Sequence, residues 1–389
     1  MIQRLLISAW LSLLLAACAT GPSVPARQAC ETVSFTLLDD FSGARRGRCV
    51  AVGDDAVRIT ILPEGDGYIN DSAWFAYKLV PKNSATATIT MNYRGGHHRY
   101  KPKLSYDGIN WTALPDEQVL VSIDKRQAII WVPVDDRDLW IAGGELLTPP
   151  LYDAWTTKMT STGQTRSSML GASRGGNPIS LLSSDNAAQD VLFLVGRQHP
   201  PEVSGAIAFF AFYEALMADT ALASEFRQRF LIVAIPLLNP DGVIGGNWRH
   251  NLGSTDLNRD WGPFQQPETQ LVESLLNRLD DEGKRVRVFL DFHSTRKNVF
   301  YTQNDANPTD PPHFTRTWLE NARPRIENYL FNYEENPVDN IGVAKNYMYK
   351  RYRIPSSTYE VGDETGRAEI IAAARVFAEE LMELMLAEF

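Results

Sequence analysis

Cysteine and histidine are scarce in this chain of 389 residues, with three and six copies respectively. The chain has no glycine-rich phosphate loop, no internal repeat and no low-complexity tract, which excludes the common nucleotide-binding loops and the repeat architectures. Its net charge is −9 and it has no long basic run, so nucleic acid is not expected as a partner. Six histidines leave few candidates for imidazole metal ligands.

Residues 1–17 are predicted to be a signal peptide. Arg4 gives a positive start, an apolar run follows over residues 5–15, and small residues precede Cys18. The apolar run is short for a membrane span. Small residues before a cysteine resemble a bacterial lipoprotein cleavage site, so Cys18 is predicted to carry a lipid anchor, and Ala19 beside it favours the outer membrane. The alternative is an ordinary secretory signal in which Cys18 is incidental.

Export leaves Cys30 and Cys49 as a single pair in an oxidising compartment, and we expect a disulfide between them. Closing a loop of this length contributes about 3 kcal/mol. Two buried free thiols are the alternative, which an oxidising compartment disfavours. Residues 18–32, which include the lipidated cysteine, are small, polar and proline-containing, and are predicted to be a tether.

Residues 33–148 have a β pattern. Short segments rich in β-branched and aromatic residues alternate with turn residues, as in a small antiparallel β-sandwich domain. The predicted strands are 57–62, 74–80, 86–93 and 129–134, with a hairpin turn over 106–111. The neighbouring His97 and His98 form either a ligand patch or a solvated loop.

Residues 149–389 alternate strand and helix patterns, which predicts one α/β domain with a mixed sheet flanked by helices. In open α/β sheets the ligands gather at strand ends. The predicted strands are 179–183, 191–196, 230–237, 286–293 and 356–361. The predicted helices are 206–217, 267–279, 314–329, 344–352 and 367–388.

Two of the histidines follow or end strands of this domain. His199 comes just after strand 191–196, and Glu202 lies three residues later, so both side chains can reach one point. The two prolines between them are expected in the first turn of the next helix. His293 ends a second strand, with Asp291 on the same side to orient it. Two imidazoles and a carboxylate are typical of a catalytic zinc site with one open position.

Six blocks of the second half resemble the zinc metallocarboxypeptidase family, and are most similar to its cytosolic-type, deglutamylase-like branch. The blocks occur in the family's order, from about residue 150 to the C-terminus, and their joint match is specific. The small β-domain resembles the one that precedes the catalytic domain in that branch. The blocks are 199–202, 239–242, Arg249, 256–261, 291–300 and 358–363.

The resemblance implies a zinc-dependent carboxypeptidase with one Zn²⁺ per chain. His199, Glu202 and His293 would hold the metal and leave one position for water. Glu360 would take a proton from the water and pass it to the leaving amine. Arg249 would polarise the scissile carbonyl and stabilise the developing oxyanion.

The resemblance also implies roles in substrate binding. Asn258 and Arg259 match the pair that grips the terminal carboxylate of the substrate. Asp256 matches the acid that fixes the tautomer of the first histidine. Lys345 falls at the base of the specificity pocket, which favours an acidic C-terminal residue or a cell-wall residue with an extra carboxylate. The alternative is that Lys345 extends from a helix face to water.

One position departs from the family pattern. Val338 stands where pancreatic-type relatives carry a mobile tyrosine that caps the substrate, and Tyr333 or Tyr347 could take its place. That tyrosine assists binding more than chemistry in the family. The departure therefore bears on the substrate rather than on the type of reaction.

Three functions are compatible with these residues. The first is a lipid-anchored, periplasm-facing zinc carboxypeptidase that acts on peptides, among them peptidoglycan stem peptides. The second is a zinc amidase or deacylase that acts on small N-acyl amino acids. The third is a non-catalytic lipoprotein that binds peptide or cell wall. An intact set of ligands, base and arginines favours the first, because a binding protein has no use for Glu360.

The anchor is tested by changing one residue. Cys18→Ala should move the protein from the membrane fraction to the soluble periplasm, because no other stretch of the sequence is apolar enough to hold it. Fractionation followed by immunoblotting measures this, with Thr20→Ala as the control that keeps the thiol. Membrane retention of the Cys18→Ala variant would contradict the prediction.

Overall fold

The computed structural model of the protein describes residues 30–65, 71–339 and 342–389. The predicted signal peptide and Cys18 lie outside these residues. The described residues form two β-sheets that share one core in the N-terminal part and a mixed eight-stranded sheet in the C-terminal part.

The first N-terminal sheet has six strands in the order β1-β2-β5-β11-β7-β8, and the second has five in the order β3-β4-β6-β10-β9. Alternating residues of the strands β4, β6 and β10 face an apolar core that both sheets share, as the period of two requires. The strands are β1 Cys30–Glu31, β2 Phe35–Leu38, β3 Arg48–Gly53, β4 Ala56–Ile61, β5 Ala76–Pro81, β6 Ala85–Tyr93, β7 Lys103–Ser105, β8 Thr112–Ala113, β9 Val119–Val121, β10 Gln127–Val134 and β11 Leu139–Ala142.

This N-terminal region differs from the expectation in two details. Strands β4 and β6 pair in parallel, so the sandwich is antiparallel except for this pair. A pattern of alternating residues shows that a strand is half-buried but not which way it runs. Strand β1 lies within the segment predicted as a tether, and a disulfide joins its Cys30 to Cys49 of β3 in the other sheet.

The C-terminal sheet has the strand order β12-β13-β15-β14-β16-β19-β17-β18. Its central strands β15, β14, β16 and β19 are parallel to one another, and antiparallel pairs flank them. The predicted mixed sheet is therefore confirmed. The strands are β12 Thr165–Ala172, β13 Pro178–Ser184, β14 Asp190–Gly196, β15 Phe230–Ile235, β16 Arg285–Thr295, β17 Val299–Thr302, β18 Asn332–Glu335 and β19 Ser356–Gly362.

Helices cover both faces of this sheet. Residues of α1, α2, α3, α6 and α8 pack into one apolar core, and residues of α5 and α7 pack into the other. Alternate residues of β14 enter the two cores, which is why its sequence is continuously apolar. The helices are α1 Pro149–Ser161, α2 Val203–Leu216, α3 Ala221–Arg229, α4 Pro240–Ile244, α5 Pro267–Asp281, α6 Phe314–Ala322, α7 Ala344–Tyr352 and α8 Arg367–Glu388.

Helix α6 is shorter than predicted, because a 3₁₀ turn containing Pro324 follows Ala322 and cannot continue the α-helical hydrogen bonds. Among the described helices, none alone has the length and apolar composition of a membrane span. Helices α2 and α3 meet those criteria only as a pair, with a bend of 89° between them.

The two parts of the chain share buried residues. Val203, the first residue of α2, and Trp248, in the loop after α4, both belong to the apolar core of the N-terminal sheets. The Trp248 indole also donates a hydrogen bond of 3.1 Å to the carbonyl of Trp74. Two segments of the C-terminal part are thus positioned by the β region.

Candidate metal centre and its surroundings

The three side chains predicted to bind metal lie at the carboxyl edge of the parallel strands. His199 and Glu202 follow β14, and His293 lies near the end of the adjacent β16. Glu360 of β19 pairs directly with His293 in the strand register. Because parallel strands end at the same edge, one sheet brings all four side chains together.

The chain turns sharply between β14 and His199. Arg197 has a φ of 54°, in the left-handed region that non-glycine residues rarely adopt. Its buried guanidinium holds the turn by donating to the carbonyl of Pro200 at 2.9 Å and to the Tyr152 hydroxyl at 3.1 Å. The expectation that both prolines lie in the first helical turn is wrong: they lie in this turn, and α2 begins at Val203 with Glu202 as its N-cap.

Helix α2 approaches β16 very closely through Gly205. A Cβ atom at this position would lie 2.4 Å from the carbonyl oxygen of His293, a distance that no real side chain could tolerate. The amide of Gly205 donates to the Ser294 hydroxyl at 2.8 Å. The absent side chain therefore lets Glu202, at the start of α2, reach the histidine of the neighbouring strand.

The three candidate ligands converge through their inner atoms. One ligand atom from each of His199, Glu202 and His293 lies within 4.8 Å of the others. The two Nδ1 atoms are 3.1 Å apart, and the Glu202 carboxylate lies 2.8 Å from Nδ1 of His199 and 2.7 Å from Nδ1 of His293. In the part of the chain that the structure describes, no second group of three such side chains is present.

The outer nitrogens of both imidazoles are bonded to carboxylates. Nε2 of His199 lies 2.9 Å from Asp256, and Nε2 of His293 lies 2.7 Å from Asp291, as the sequence predicts. Gln198 also donates to Asp291 at 2.8 Å. Carboxylates on the outer nitrogens keep the inner ones available as ligands. Two Nδ1 atoms, on rings whose outer nitrogens are bonded to carboxylates, and the carboxylate of Glu202 fit the three-ligand set of a zinc ion.

The charges around the cluster favour a cation. Burial opposes the charge of Glu202, but the two adjacent imidazoles hold its pKa well below the usual range. The same balance of burial against His199 and Arg249 lowers the pKa of Asp256. Burial also opposes the charge of His293, yet Asp291 and Glu202 raise its pKa. The lowered pKa values of Glu202 and Asp256 keep these two carboxylates ionised beside the imidazoles, which attracts positive charge.

Glu360 lies beside this cluster without a fixed partner. The residue is half-buried, and among the described residues its shielded Oε2 atom has no hydrogen-bond partner. Burial, followed by the negative charge of Glu202, raises the pKa of Glu360 to about 7. A carboxyl group with a pKa near neutrality can accept and release a proton at physiological pH.

Arg249 reaches the cluster through Asp256. Its Nε atom donates to Asp256 at 2.6 Å, on the oxygen that does not contact His199. Within the described ranges, the terminal nitrogens of Arg249 have no protein acceptor. Arg259 is half exposed and lies 3.9 Å from the same carboxylate. Both guanidinium groups thus lie on the side of Asp256 away from its contact with His199.

Comparison with known proteins identifies the family. The model of the zinc carboxypeptidase family (Peptidase_M14) matches residues 152–380, which is more than half of the chain. The chain belongs to the zinc carboxypeptidase family. The predicted resemblance and the zinc cofactor are therefore confirmed, and the matched residues include all the candidate ligands.

The similar curated proteins are cytosolic carboxypeptidases. Cytosolic carboxypeptidase 1 of Danio rerio is 39% identical over 121 residues, which are 29% of this chain and 10% of that protein. Cytosolic carboxypeptidase 4 of Homo sapiens is 38% identical over 112 residues, 28% of this chain and 10% of that protein. The matched segment thus spans about a tenth of the length of these relatives.

Solved bacterial structures share the fold over nearly the whole chain. A metallo-carboxypeptidase from Burkholderia cenocepacia aligns with a TM-score of 0.76, covering 91% of this chain and 99% of that one. A metallo-carboxypeptidase from Pseudomonas aeruginosa, in complex with (2-guanidinoethylmercapto)succinic acid, aligns with a TM-score of 0.75, covering 91% and 100%. Both are 18% identical in sequence, so they show the fold alone.

Asn258 of this zinc carboxypeptidase points inward in the structure. Its amide nitrogen lies 3.3 Å from Nε2 of His293, and its side-chain oxygen accepts a hydrogen bond of 2.8 Å from the amide of Ala344. The predicted grip of Asn258 on a substrate carboxylate stays a prediction, since these contacts occupy both ends of the side chain. Asn258 also ties the start of α7 to the metal centre.

Lys345, the second residue of α7, is only 3% exposed, so the alternative that it extends to water is wrong. Its ammonium group donates to the carbonyl of Thr302 at 3.3 Å, and no carboxylate among the described residues lies within ion-pair distance. Burial lowers the pKa of Lys345 to about 8.

Several other candidates are engaged elsewhere. Tyr347 packs on Trp261 and its hydroxyl accepts a hydrogen bond from Arg351, and the Tyr333 hydroxyl donates to Glu320, so each hydroxyl already has a protein partner. Val338 is buried. His97 and His98, which the sequence offers as a ligand patch, each contact a protein side chain. His97 lies 2.9 Å from Asp71, and His98 lies 2.7 Å from the hydroxyl of Tyr93.

Sequence reasoning missed three residues that support the site. Gln198 bridges Asp291 to the indole of Trp261, and its position beside His199 is a weak signal. Glu64 and Arg99 come from the β region and contact segments more than 180 residues away. No local pattern identifies such contacts.

The role of Asp256, whose carboxylate contacts the outer nitrogen of His199, is tested by Asp256→Asn. This change keeps the shape of the side chain but removes its charge, so zinc affinity should fall ~10–100-fold. Competition with a chelator measures it. Asp190→Asn is the matched control, because Asp190 binds Arg285 and Arg287 at the opposite end of β14. Equal resistance of both variants to the chelator would contradict this role.

Proposed function

We propose that this protein is a zinc-dependent carboxypeptidase that releases the C-terminal residue of peptides. The observation that carries the proposal is the ligand cluster of His199, Glu202 and His293, with the unpartnered carboxyl of Glu360 directly beside it in the sheet. A binding protein would gain nothing from a carboxyl whose shielded oxygen has no hydrogen-bond partner among the described residues, since this costs stability. Membership in the zinc carboxypeptidase family supports the same reaction.

Each step of peptide hydrolysis has a residue assigned to it. His199, Glu202 and His293 would hold a zinc ion, which would supply Lewis acidity and a water that is nucleophilic at neutral pH. Glu360, with its raised pKa, accepts a proton from water and delivers it to the leaving amine. The free terminal nitrogens of Arg249 donate to the carbonyl oxygen as negative charge develops on it. The half-exposed Arg259 binds the terminal carboxylate of the peptide.

The direct test is to measure zinc content and the free amino acids released from a peptide library. We expect about one zinc per chain and release of single C-terminal residues, which C-terminal amidation should abolish because it removes the carboxylate that Arg259 binds. Hydrolysis of small N-acyl amino acids with no release from peptides would favour the amidase. No turnover of either class would favour a binding protein.

The base is tested by Glu360→Gln. This variant should fold and keep zinc but lose turnover by ~10²–10⁴-fold, the usual contribution of general acid–base catalysis. Glu364→Gln is the control, because Glu364 contacts Lys103 and the amide of Lys101 in the β region. Loss of turnover in the Glu364 variant alone would assign the base to that residue instead.

We further propose that Lys345 selects a C-terminal residue with an acidic side chain, either Glu or Asp or a cell-wall residue with an extra carboxylate. The support is a buried ammonium group that has no carboxylate partner in the described part of the chain, on a helix tied to the metal centre through Asn258. A substrate carboxylate would supply the missing counter-charge, and an apolar side chain would leave the lysine unpaired.

Specificity is tested by comparing kcat/KM for peptides ending in Glu, Ala, Phe and Lys. Lys345→Met should reduce the preference for Glu over Ala by ~10–100-fold. In the unchanged protein this preference should fall above about pH 8, since Lys345 loses its proton there. Lys350→Met, an exposed lysine on the same helix, is the control. An unchanged preference in Lys345→Met would contradict the proposal.

For location, we propose the periplasmic side of a bacterial membrane, with a lipid on Cys18 and the outer membrane favoured. The support is the sequence of residues 1–19 alone: a positive start, a short apolar run and small residues before the cysteine. A disulfide between Cys30 and Cys49 is consistent with an oxidising compartment.

A further inference from the structure

Glu64 of the β region contacts the loop that carries Arg249. It lies three residues after β4, and its side chain is 6% exposed. Its carboxylate accepts three backbone hydrogen bonds, from the amides of Trp248 at 2.7 Å, Arg249 at 2.9 Å and His250 at 2.7 Å. Three consecutive amides on one carboxylate fix the backbone on both sides of Arg249.

A second contact holds the same loop. Trp248 is fully buried in the apolar core of the N-terminal sheets, and a Cβ atom on Gly96 would lie 2.7 Å from its ring. Its neighbour Arg249 then extends in the other direction, to Asp256. The loop is therefore held to the β region by Trp248 and Glu64, while the guanidinium reaches the metal centre.

This arrangement matters because a transition-state contact depends on position. Arg249 can stabilise a developing oxyanion only if its donors lie close to where the charge forms. The Nε contact with Asp256 fixes one end of the guanidinium, but the backbone must also be held at the right distance. Glu64 and Trp248 hold the backbone from the β region, and Asn247 adds a contact within the loop by donating to the carbonyl of His250 at 3.0 Å.

We propose that Glu64 is a positioning residue for the reaction and acts through Arg249. The β region is then a structural part of the active site rather than a separate attachment. The inference rests on the proposed function, in which Arg249 stabilises the transition state. It adds to that function a residue from outside the segment that matches the family.

The kinetic test is a double-mutant cycle. Glu64→Gln should lower kcat and kcat/KM together by ~10–100-fold with KM nearly unchanged, because it displaces a group that acts only in the transition state. Arg249→Ala should lower kcat by ~10²–10³-fold. Adding Glu64→Gln to Arg249→Ala should have almost no further effect. Independent, multiplying losses would overturn the proposal, since Glu64 would then act by another route.

Two variants serve as controls. Glu64→Asp keeps the charge but shortens the side chain, so it should recover part of the lost kcat and also provides a variant if Glu64→Gln folds poorly. Asp107→Asn should leave kcat unchanged, because Asp107 likewise accepts backbone amides in the β region but only those of its own turn, from Ile109 and Asn110. A loss in Asp107→Asn as large as in Glu64→Gln would mean that general loosening explains both.

A measurement without substrate separates this inference from the proposed function. Hydrogen exchange of the amides of residues 248–250, followed by NMR, should accelerate in Glu64→Gln. The amide of Asn251 should stay protected, because it donates to the carbonyl of Thr255 at 3.0 Å. Unchanged exchange at 248–250 would overturn the inference whatever the activity. If exchange accelerates but the unchanged protein releases no amino acid, the proposed function fails and the contact of Glu64 with the loop stands.

Discussion

The site depends on carboxylates that hold two buried imidazoles from behind. His199 and His293 can present their Nδ1 atoms to one point because Asp256 and Asp291 occupy their Nε2 atoms. Without these contacts, each ring could rotate or take the other tautomer, and the ligand set would lose its geometry. Asp256 has a second partner, Arg249, on its other oxygen. One carboxylate thus couples the orientation of a metal ligand to that of the residue assigned to the oxyanion.

The β region extends this dependence across the molecule. Arg99 forms an ion pair of 2.8 Å with Asp363, just past the end of β19, and both side chains are 6% exposed. It also lies 3.4 Å from the carbonyl of Ser294, next to His293. Removing one partner of a buried pair typically costs ~3–5 kcal/mol, because the other charge is left unpaired. Together with Glu64 on the Arg249 loop, this pair makes the N-terminal sheets part of the framework that positions the site.

The sequence predicted those parts of the site that depend on short-range pattern. The spacing of His199 and Glu202, and the placement of Asp291 two residues before His293, follow from helix and strand geometry, and the structure brings these side chains together. The direction of β4 against β6, the inward orientation of Asn258 and the contact of Glu64 with the loop are set by long-range packing, which one sequence does not encode locally. The prediction that Pro200 and Pro201 lie in the first turn of α2 is wrong, because the chain turns at Arg197, with its positive φ, and α2 begins only after both prolines.

Two side chains of the C-terminal part lack a full set of partners among the described residues. Among the described residues, Oε2 of Glu360 has no hydrogen-bond partner, and Lys345 has one carbonyl but no counter-charge. Each such group costs roughly 1–3 kcal/mol of stability. Burial raises the pKa of Glu360 to about 7 and lowers the pKa of Lys345 to about 8, so both values lie near neutrality. Apolar side chains at these two positions would avoid this cost, as the buried apolar residues of β14 do. The proposed function gives each group a partner that arrives with the substrate: a proton in transit for Glu360, and a carboxylate for Lys345.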